Sequence, residues 1–134
     1  MSLLRTETMP IHSDGDVVMI RQKVRAWAVE SGFGLVDQTK IVTAASELAR
    51  NALVHGGGGA AHLELLNDGT RKGLRLTFAD SGPGIPDIEL AMREGYSTGT
   101  GLGLGLSGAK RLSNEFDLRS VPGEGTRVTI TRWK

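Results

Sequence analysis

A chain of 134 residues with formal charge +1 and no cysteine is expected to form one domain, 1–134, burying roughly two thirds of its unfolded surface. Disulfides, a thiol nucleophile and thiolate metal sites are excluded, and three scattered histidines argue against a histidine metal cage. With no dense Lys/Arg block, few aromatics, no membrane-length apolar run and a polar Met1–Arg5 start, neither nucleic acid nor membrane is the expected partner, and a cytoplasmic location is expected. The outlier is glycine. Its 19 residues concentrate at Gly56 to Gly59, Gly82 to Gly84 and Gly95 to Gly108, which points to a ligand touching backbone.

Met1 to Ile11 alternates weakly, with Pro10 near its end, and suits an edge strand. Asp14-Gly15-Asp16 offers helix caps for a segment with Val17, Ile20, Val24, Trp27 and Ala28 on one face, ended by Gly32. That face reads as core, Trp27 included, rather than as a stacking platform. A second helix is expected from after Asp37 to about Val54, burying Ile41, Ala45, Leu48, Ala49, Ala52 and Leu53. At 100° per residue, Ala44, Glu47, Asn51 and His55 share a different face. Two readings of that face stand side by side. One is a solvated polar face with ordinary i,i+4 neighbours. In the other, a carboxylate and a carboxamide oxygen together hold a hydroxyl nucleophile and Mg²⁺, a hard cation that takes oxygen ligands. His55 reads either as a third polar contact or, in the preferred reading, as a C-terminal cation favoured by the helix dipole.

Gly56 to Gly59 ends that helix. Ala60 to Leu66 and Leu74 to Ala79 form a hairpin about Asn67-Asp68-Gly69, with His62 an exposed strand residue. Leu74, Leu76 and Phe78 alternate with Arg75 and Thr77 until Asp80, where Gly82-Pro83-Gly84 takes over. A carboxylate at the end of a core strand accepts hydrogen bonds and donates none, so it selects a ligand with an exposed amino group such as that of adenine. The alternative is a plain strand-end Asx turn. A short helix is expected over Asp87 to Glu94, another from Leu104 to Asn114, and strands at Phe116 to Ser120 and Arg127 to Trp133 about a Pro122–Gly125 turn.

The glycines entering the helix near Leu104 present free N–H groups beside a positive helix end, a standing site for a phosphate chain. The leucines at Leu102, Leu104 and Leu106 separate this loop from a flexible linker. Gly103 to Gly108 fits the Rossmann glycine spacing but follows no buried strand and leads into a hairpin, which removes that reading. A P-loop is missing, as is the eukaryotic-type kinase motif set.

The order Glu47-x-x-x-Asn51, Asp80-x-Gly82-x-Gly84, Gly101-x-Gly103-x-Gly105, Gly125-Thr126 resembles the GHKL ATPase superfamily. Ser46 to Asn51, Asp80 to Pro86, Tyr96 to Thr98 and Lys110 to Leu112 resemble its small serine kinases of bacterial partner-switching systems. Ala52 to Gly56 looks more like the anti-sigma kinases than the switch kinases of that group. The resemblance spans nearly the whole chain. It implies the Bergerat fold, an α+β two-layer sandwich with a mixed, mostly antiparallel sheet and its helices on one face.

By the same resemblance ATP and Mg²⁺ are bound: Asn51 holds the metal, Asp80 accepts the adenine amino group and Thr126 supports it through water. Gly82, Gly84 and Ile85 line the base pocket. Gly99, Thr100, Gly101, Leu102, Gly103, Leu104 and Gly105 form the lid over the phosphates, and Glu47 is the catalytic base. The implied activity is phosphorylation of a STAS-domain antagonist protein, with a phosphatase or sigma factor as further partner. A nucleotide-sensing binding regulator is the alternative. A histidine-kinase fragment and a mechanical ATPase are disfavoured, for want of a helix bearing a phosphoacceptor histidine and of a transducer domain after the lid.

Overall fold

A computed structural model describes residues 1–93 and 105–134. The expected helix start at Leu104 and the lid residues Gly99 to Leu104 lie outside them. The described elements are β1 (Ser2–Ile11), α1 (Asp14–Glu30), α2 (Leu35–Val54), β2 (Gly59–Asn67), β3 (Lys72–Asp80), α3 (Ile88–Ala91), α4 (Gly105–Arg111), β4 (Glu115–Val121) and β5 (Gly125–Trp133). The strands form one sheet in the order β1-β2-β3-β5-β4.

The fold class is the expected α+β sandwich, but every pairing among the described strands is antiparallel, so the mixed sheet is corrected. β4 runs parallel to β3, yet the returning strand β5 takes the seat between them and leaves β4 at the edge. β1 closes the other edge, with Pro10 paired to Ala60, where a missing donor is tolerated.

Period-2 patterning sends Ile11, Leu63, Leu74, Leu76, Phe78, Val128 and Ile130 to the helical side of the sheet. They meet Val17, Ile20, Val24, Trp27 and Ala28 of α1 and Ile41, Ala45, Leu48 and Ala52 of α2 in one core. Ser13 caps α1: its side chain accepts from the Asp16 amide at 3.2 Å while Asp16 accepts from the His12 amide at 2.9 Å, so the cap falls on the residue just before the expected Asp14-Gly15-Asp16. α2 starts at Leu35 after Gly34, which makes no side-chain cap, so a sequence search for a capping residue settles on Asp37 instead. α3 and α4 are shorter than expected, and Ser113 and Asn114 lie beyond α4. Arg132, largely buried, braces this layer by donating to Asp37 at 2.7 Å and to the Leu112 carbonyl at 3.0 Å.

The opposite face of the sheet is polar. His62 is half-buried rather than exposed, its ring held between the Thr6 and Thr8 hydroxyls at 3.0 and 2.8 Å. Arg75 donates to Glu64 through two nitrogens at 2.9 and 3.2 Å, and Arg71 lies 4.7 Å over the Trp133 ring.

The Arg75 hydrogen bonds hold the Glu64 carboxyl below its ordinary range. The Thr70 and Arg71 amides do the same for Asp68 in the β2–β3 turn. Both groups stabilise the fold above the unfolded carboxylate pKa, and that stability is lost as pH falls through their folded values, because the unfolded chain takes up protons first. Thermal denaturation is therefore expected to show Tm falling below about pH 4, with Arg75→Met flattening part of that slope.

Candidate active site

Three strands point their inward rows toward one end of the sheet, and each row finishes on a polar residue. Phe78 is followed by Asp80, Leu118 by Ser120, and Val128 is preceded by Thr126. Since Asp80 and Thr126 are register partners, the Asp80 side chain reaches across the pair. Its Oδ1 accepts from the Gly82 amide at 3.0 Å and the Thr126 amide at 3.3 Å. The Asx turn is thus present, and it engages one oxygen. Among the described residues, Oδ2 receives no protein hydrogen bond.

Ser120 ties the loop to the sheet. Its hydroxyl accepts from the Ile85 amide at 2.7 Å, lies 2.9 Å from Thr126 Oγ1 and 3.3 Å from the Gly125 carbonyl. The Gly123 amide donates to the Pro83 carbonyl at 2.9 Å. Gly84, at φ +79°, lies so close to the β4–β5 turn that a Cβ there would stand 2.7 Å from the Val121 carbonyl oxygen.

α2 arrives at this cluster from the helical side, its last carbonyls taken up by the His55, Gly56 and Gly58 amides. Gly56 lies directly against the Asp80 carboxylate, where any Cβ would overlap it, and Gly82 packs against the Gly56 backbone. This contact carries Glu47 and Asn51 into the cleft that Asp80 enters. The cleft has a volume of ≈ 240 Å³ and is lined by Glu47, Asn51, His55, Asp80, Gly84, Ile85, Gly105 and Thr126, over an apolar floor of Leu48, Ala52, Phe78, Leu90, Ala91, Leu106 and Val128. Glu47 is only 6% exposed; it and Ala44 are buried, so the solvated-face reading does not hold.

Of the residues singled out from sequence, Glu47, Asn51, Asp80, Gly84, Ile85, Gly105 and Thr126 come together in this cleft. Gly82 does not line it, but fixes Asp80 from behind. Sequence reasoning missed Ser120 and the part played by Gly56. The signal for Ser120 was present as a hydroxyl at the third inward position of a strand whose first two are Phe116 and Leu118.

A cleft with an apolar floor and one carboxylate oxygen that meets no described donor suits a flat heterocycle bearing an amino group, and a second, buried carboxylate one helix turn from a carboxamide suits work on a hydroxyl. The profile of the Histidine kinase-, DNA gyrase B-, and HSP90-like ATPase family matches residues 36–134, and the chain belongs to that family. It is 50% identical over 123 residues to the serine/threonine-protein kinase RsbT of Bacillus subtilis, covering 92% of each chain. It is 29% identical over 119 residues to an anti-sigma F factor of a Thermoanaerobacter species, covering 84% of this chain and 82% of the relative.

Two solved structures share the fold. The RsbU and RsbW domains of a Mycobacterium tuberculosis protein match with TM-score 0.68 at 21% identity, covering 98% of this chain and 33% of that longer one. The SiaB–SiaC complex of Pseudomonas aeruginosa matches with TM-score 0.55 at 15% identity, covering 98% and 91%. Fold and cleft define an ATP-binding protein of the GHKL class. Within that class the chain is a serine/threonine-protein kinase of the partner-switching group.

Gly56→Ala is expected to push the Asp80 carboxylate out of the cleft and weaken ATP binding at least about tenfold, the loss of one charge-assisted hydrogen bond. Titration calorimetry measures it.

Proposed function

We propose that this chain transfers the γ-phosphate of ATP to a serine or threonine hydroxyl of a STAS-domain protein, within a bacterial module that regulates stress response or a sigma factor. The observation that carries this reading is that the buried Glu47 and the half-buried Asp80, from opposite layers of the sandwich, open on one cleft.

In this reading the base lies on the apolar floor, with its amino group donating to Asp80 Oδ2. The Thr126 hydroxyl holds a bridging water, while Gly84 and Ile85 border the ring and Gly82 keeps Asp80 in place. The resemblance assigns the phosphates to Gly99, Thr100, Gly101, Leu102, Gly103 and Leu104, which lie outside the described residues, and to Gly105, which is buried and lines the cleft.

Magnesium fits the donor set. Asn51 lines the cleft and its carboxamide oxygen would be the protein ligand, while no group of three or more His, Cys, Asp or Glu side chains gathers among the described residues. That suits a cation carried on nucleotide phosphates and water, with few protein ligands. When bound it neutralises charge on the transferring phosphoryl group. Glu47 accepts the proton of the acceptor hydroxyl as the new O–P bond forms and the bond to ADP breaks. Its carboxylate, drawn out of water on a rigid helix, is oriented before substrate arrives.

Glu47→Gln is expected to slow transfer at least about 100-fold while ATP affinity stays within about threefold of wild type. Phosphotransfer to the STAS-domain protein of the native host, measured beside nucleotide binding, checks this, and undiminished transfer overturns the reading. The anti-sigma F factor relatives support a second reading, a nucleotide-dependent regulator that binds a sigma factor or activates a phosphatase. Its mark is stoichiometric partner binding that survives loss of Glu47.

Asp80→Asn gives the complementary test. The two backbone amides at Oδ1 hold the carboxamide oxygen there, so the new NH₂ group takes the place of Oδ2 and faces the adenine amino group donor to donor. ATP affinity is expected to fall about 10- to 150-fold, the equivalent of a charged hydrogen bond of about 1.5 to 3 kcal/mol. Unchanged affinity would contradict the assignment of the base pocket.

A further inference from the structure

Three arginines among the described residues are partly buried: Arg50, Arg75 and Arg132. Withdrawing a guanidinium from water is costly unless an anion compensates it. Arg75 has Glu64 at 2.9 Å and Arg132 has Asp37 at 2.7 Å. Arg50 has no ion pair, hydrogen bond or ring contact with any described residue. The remaining arginines are exposed, where an unpaired guanidinium is simply hydrated.

The place of Arg50 on α2 is fixed relative to Glu47. Three residues further on, it stands one turn along and roughly 60° round the axis from Glu47, while Asn51 stands roughly 40° round the other way. Such i,i+3 neighbours are about 5 to 6 Å apart at Cβ. The described residues lining the cleft include Glu47, Leu48, Asn51 and Ala52 but not Arg50. Arg50 therefore stands on the rim outside Glu47, away from the Asn51 side assigned above to metal and phosphates. Val54, one turn further along the same side, leaves 46% of its surface exposed. A hydroxyl carried on a folded protein brings the surface around it against the helix residues next to Glu47.

We propose that Arg50 is a substrate-docking residue, which receives an acidic side chain of the protein substrate beside the acceptor hydroxyl, with Val54 as the adjoining apolar contact. The proposal rests on the kinase reading of Glu47. The anion comes from protein because the nucleotide phosphates belong to the Asn51 side of the helix. With no partner among the described residues, the planar fork of Arg50 can take a carboxylate through two parallel hydrogen bonds.

Steady-state phosphorylation of the host STAS-domain protein by wild type, Arg50→Ala, Arg50→Lys and Arg50→Glu tests it, with KM for protein, KM for ATP and kcat measured separately. Arg50→Ala is expected to raise KM for the protein about 10- to 100-fold, leaving KM for ATP, kcat and Tm near wild type. Lysine restores part of the loss. Arg50→Glu is worse than alanine and is rescued by substrate variants that change an acidic residue near the acceptor to arginine. If the wild type transfers phosphate and both Arg50→Ala and Arg50→Glu keep its KM for protein, the docking role is overturned and the kinase reading stands. A rise confined to KM for ATP assigns Arg50 to the nucleotide and also overturns the role. Absence of transfer by the wild type removes both readings.

Discussion

The two oxygens of the Asp80 carboxylate do different work, and the arrangement of the site depends on that division. Oδ1, accepting from the Gly82 and Thr126 amides, joins the end of β3 to the loop that leaves it and to the neighbouring strand β5. A carboxylate satisfied twice on one oxygen is held in one orientation, so the other is presented without reorganisation when a donor arrives. The backbone could not gather so closely around it with larger residues. Gly56 on one side and Gly84 on the other occupy places where a Cβ meets the carboxylate or the facing turn.

The second half of the site is assembled by a helix rather than by loops. α2 packs its apolar stripe on the sheet, and the 100° step then turns Glu47 and Asn51 toward the cleft and Arg50 toward its rim. In the proposed reading three chemistries are distributed around this one helix: proton acceptance, oxygen ligation and capture of an acidic partner. Burial of Glu47 is compatible with this placement because the cleft opens beside it. The same packing ties the placement of Glu47 to stability, since the two residues that follow it on the helix, Leu48 and Ala49, belong to the core.

The two faces of the sheet divide the labour of the fold. The inner face, apolar until its rows end on Asp80, Ser120 and Thr126, makes the core and then the site without a break. The outer face is a lattice of cross-strand pairs, among them Glu64–Arg75 and Thr77–Thr129, which satisfies long polar side chains on the face opposite the described helices.

Periodicity alone determined a good deal of this protein. The buried face of α1 is the set read from sequence, the strands fall where alternation put them, and the Asp80 loop follows from turn chemistry, because these signals are local and repeat along a few residues. Motif order carried the family, and with it the expectation that Asp80 and Glu47 serve one nucleotide. Whether Glu47 faces solvent or a cleft was beyond any local signal: the same i,i+4 spacing serves both, and only the packing of α2 against the end of the sheet decides it. The purely antiparallel sheet, the return of β5 between β3 and β4, the anchoring hydroxyl of Ser120 and the place of Arg50 beside Glu47 were likewise decided by tertiary structure. Each depends on which distant segment occupies a neighbouring place, and that information is not carried by any single stretch of the chain.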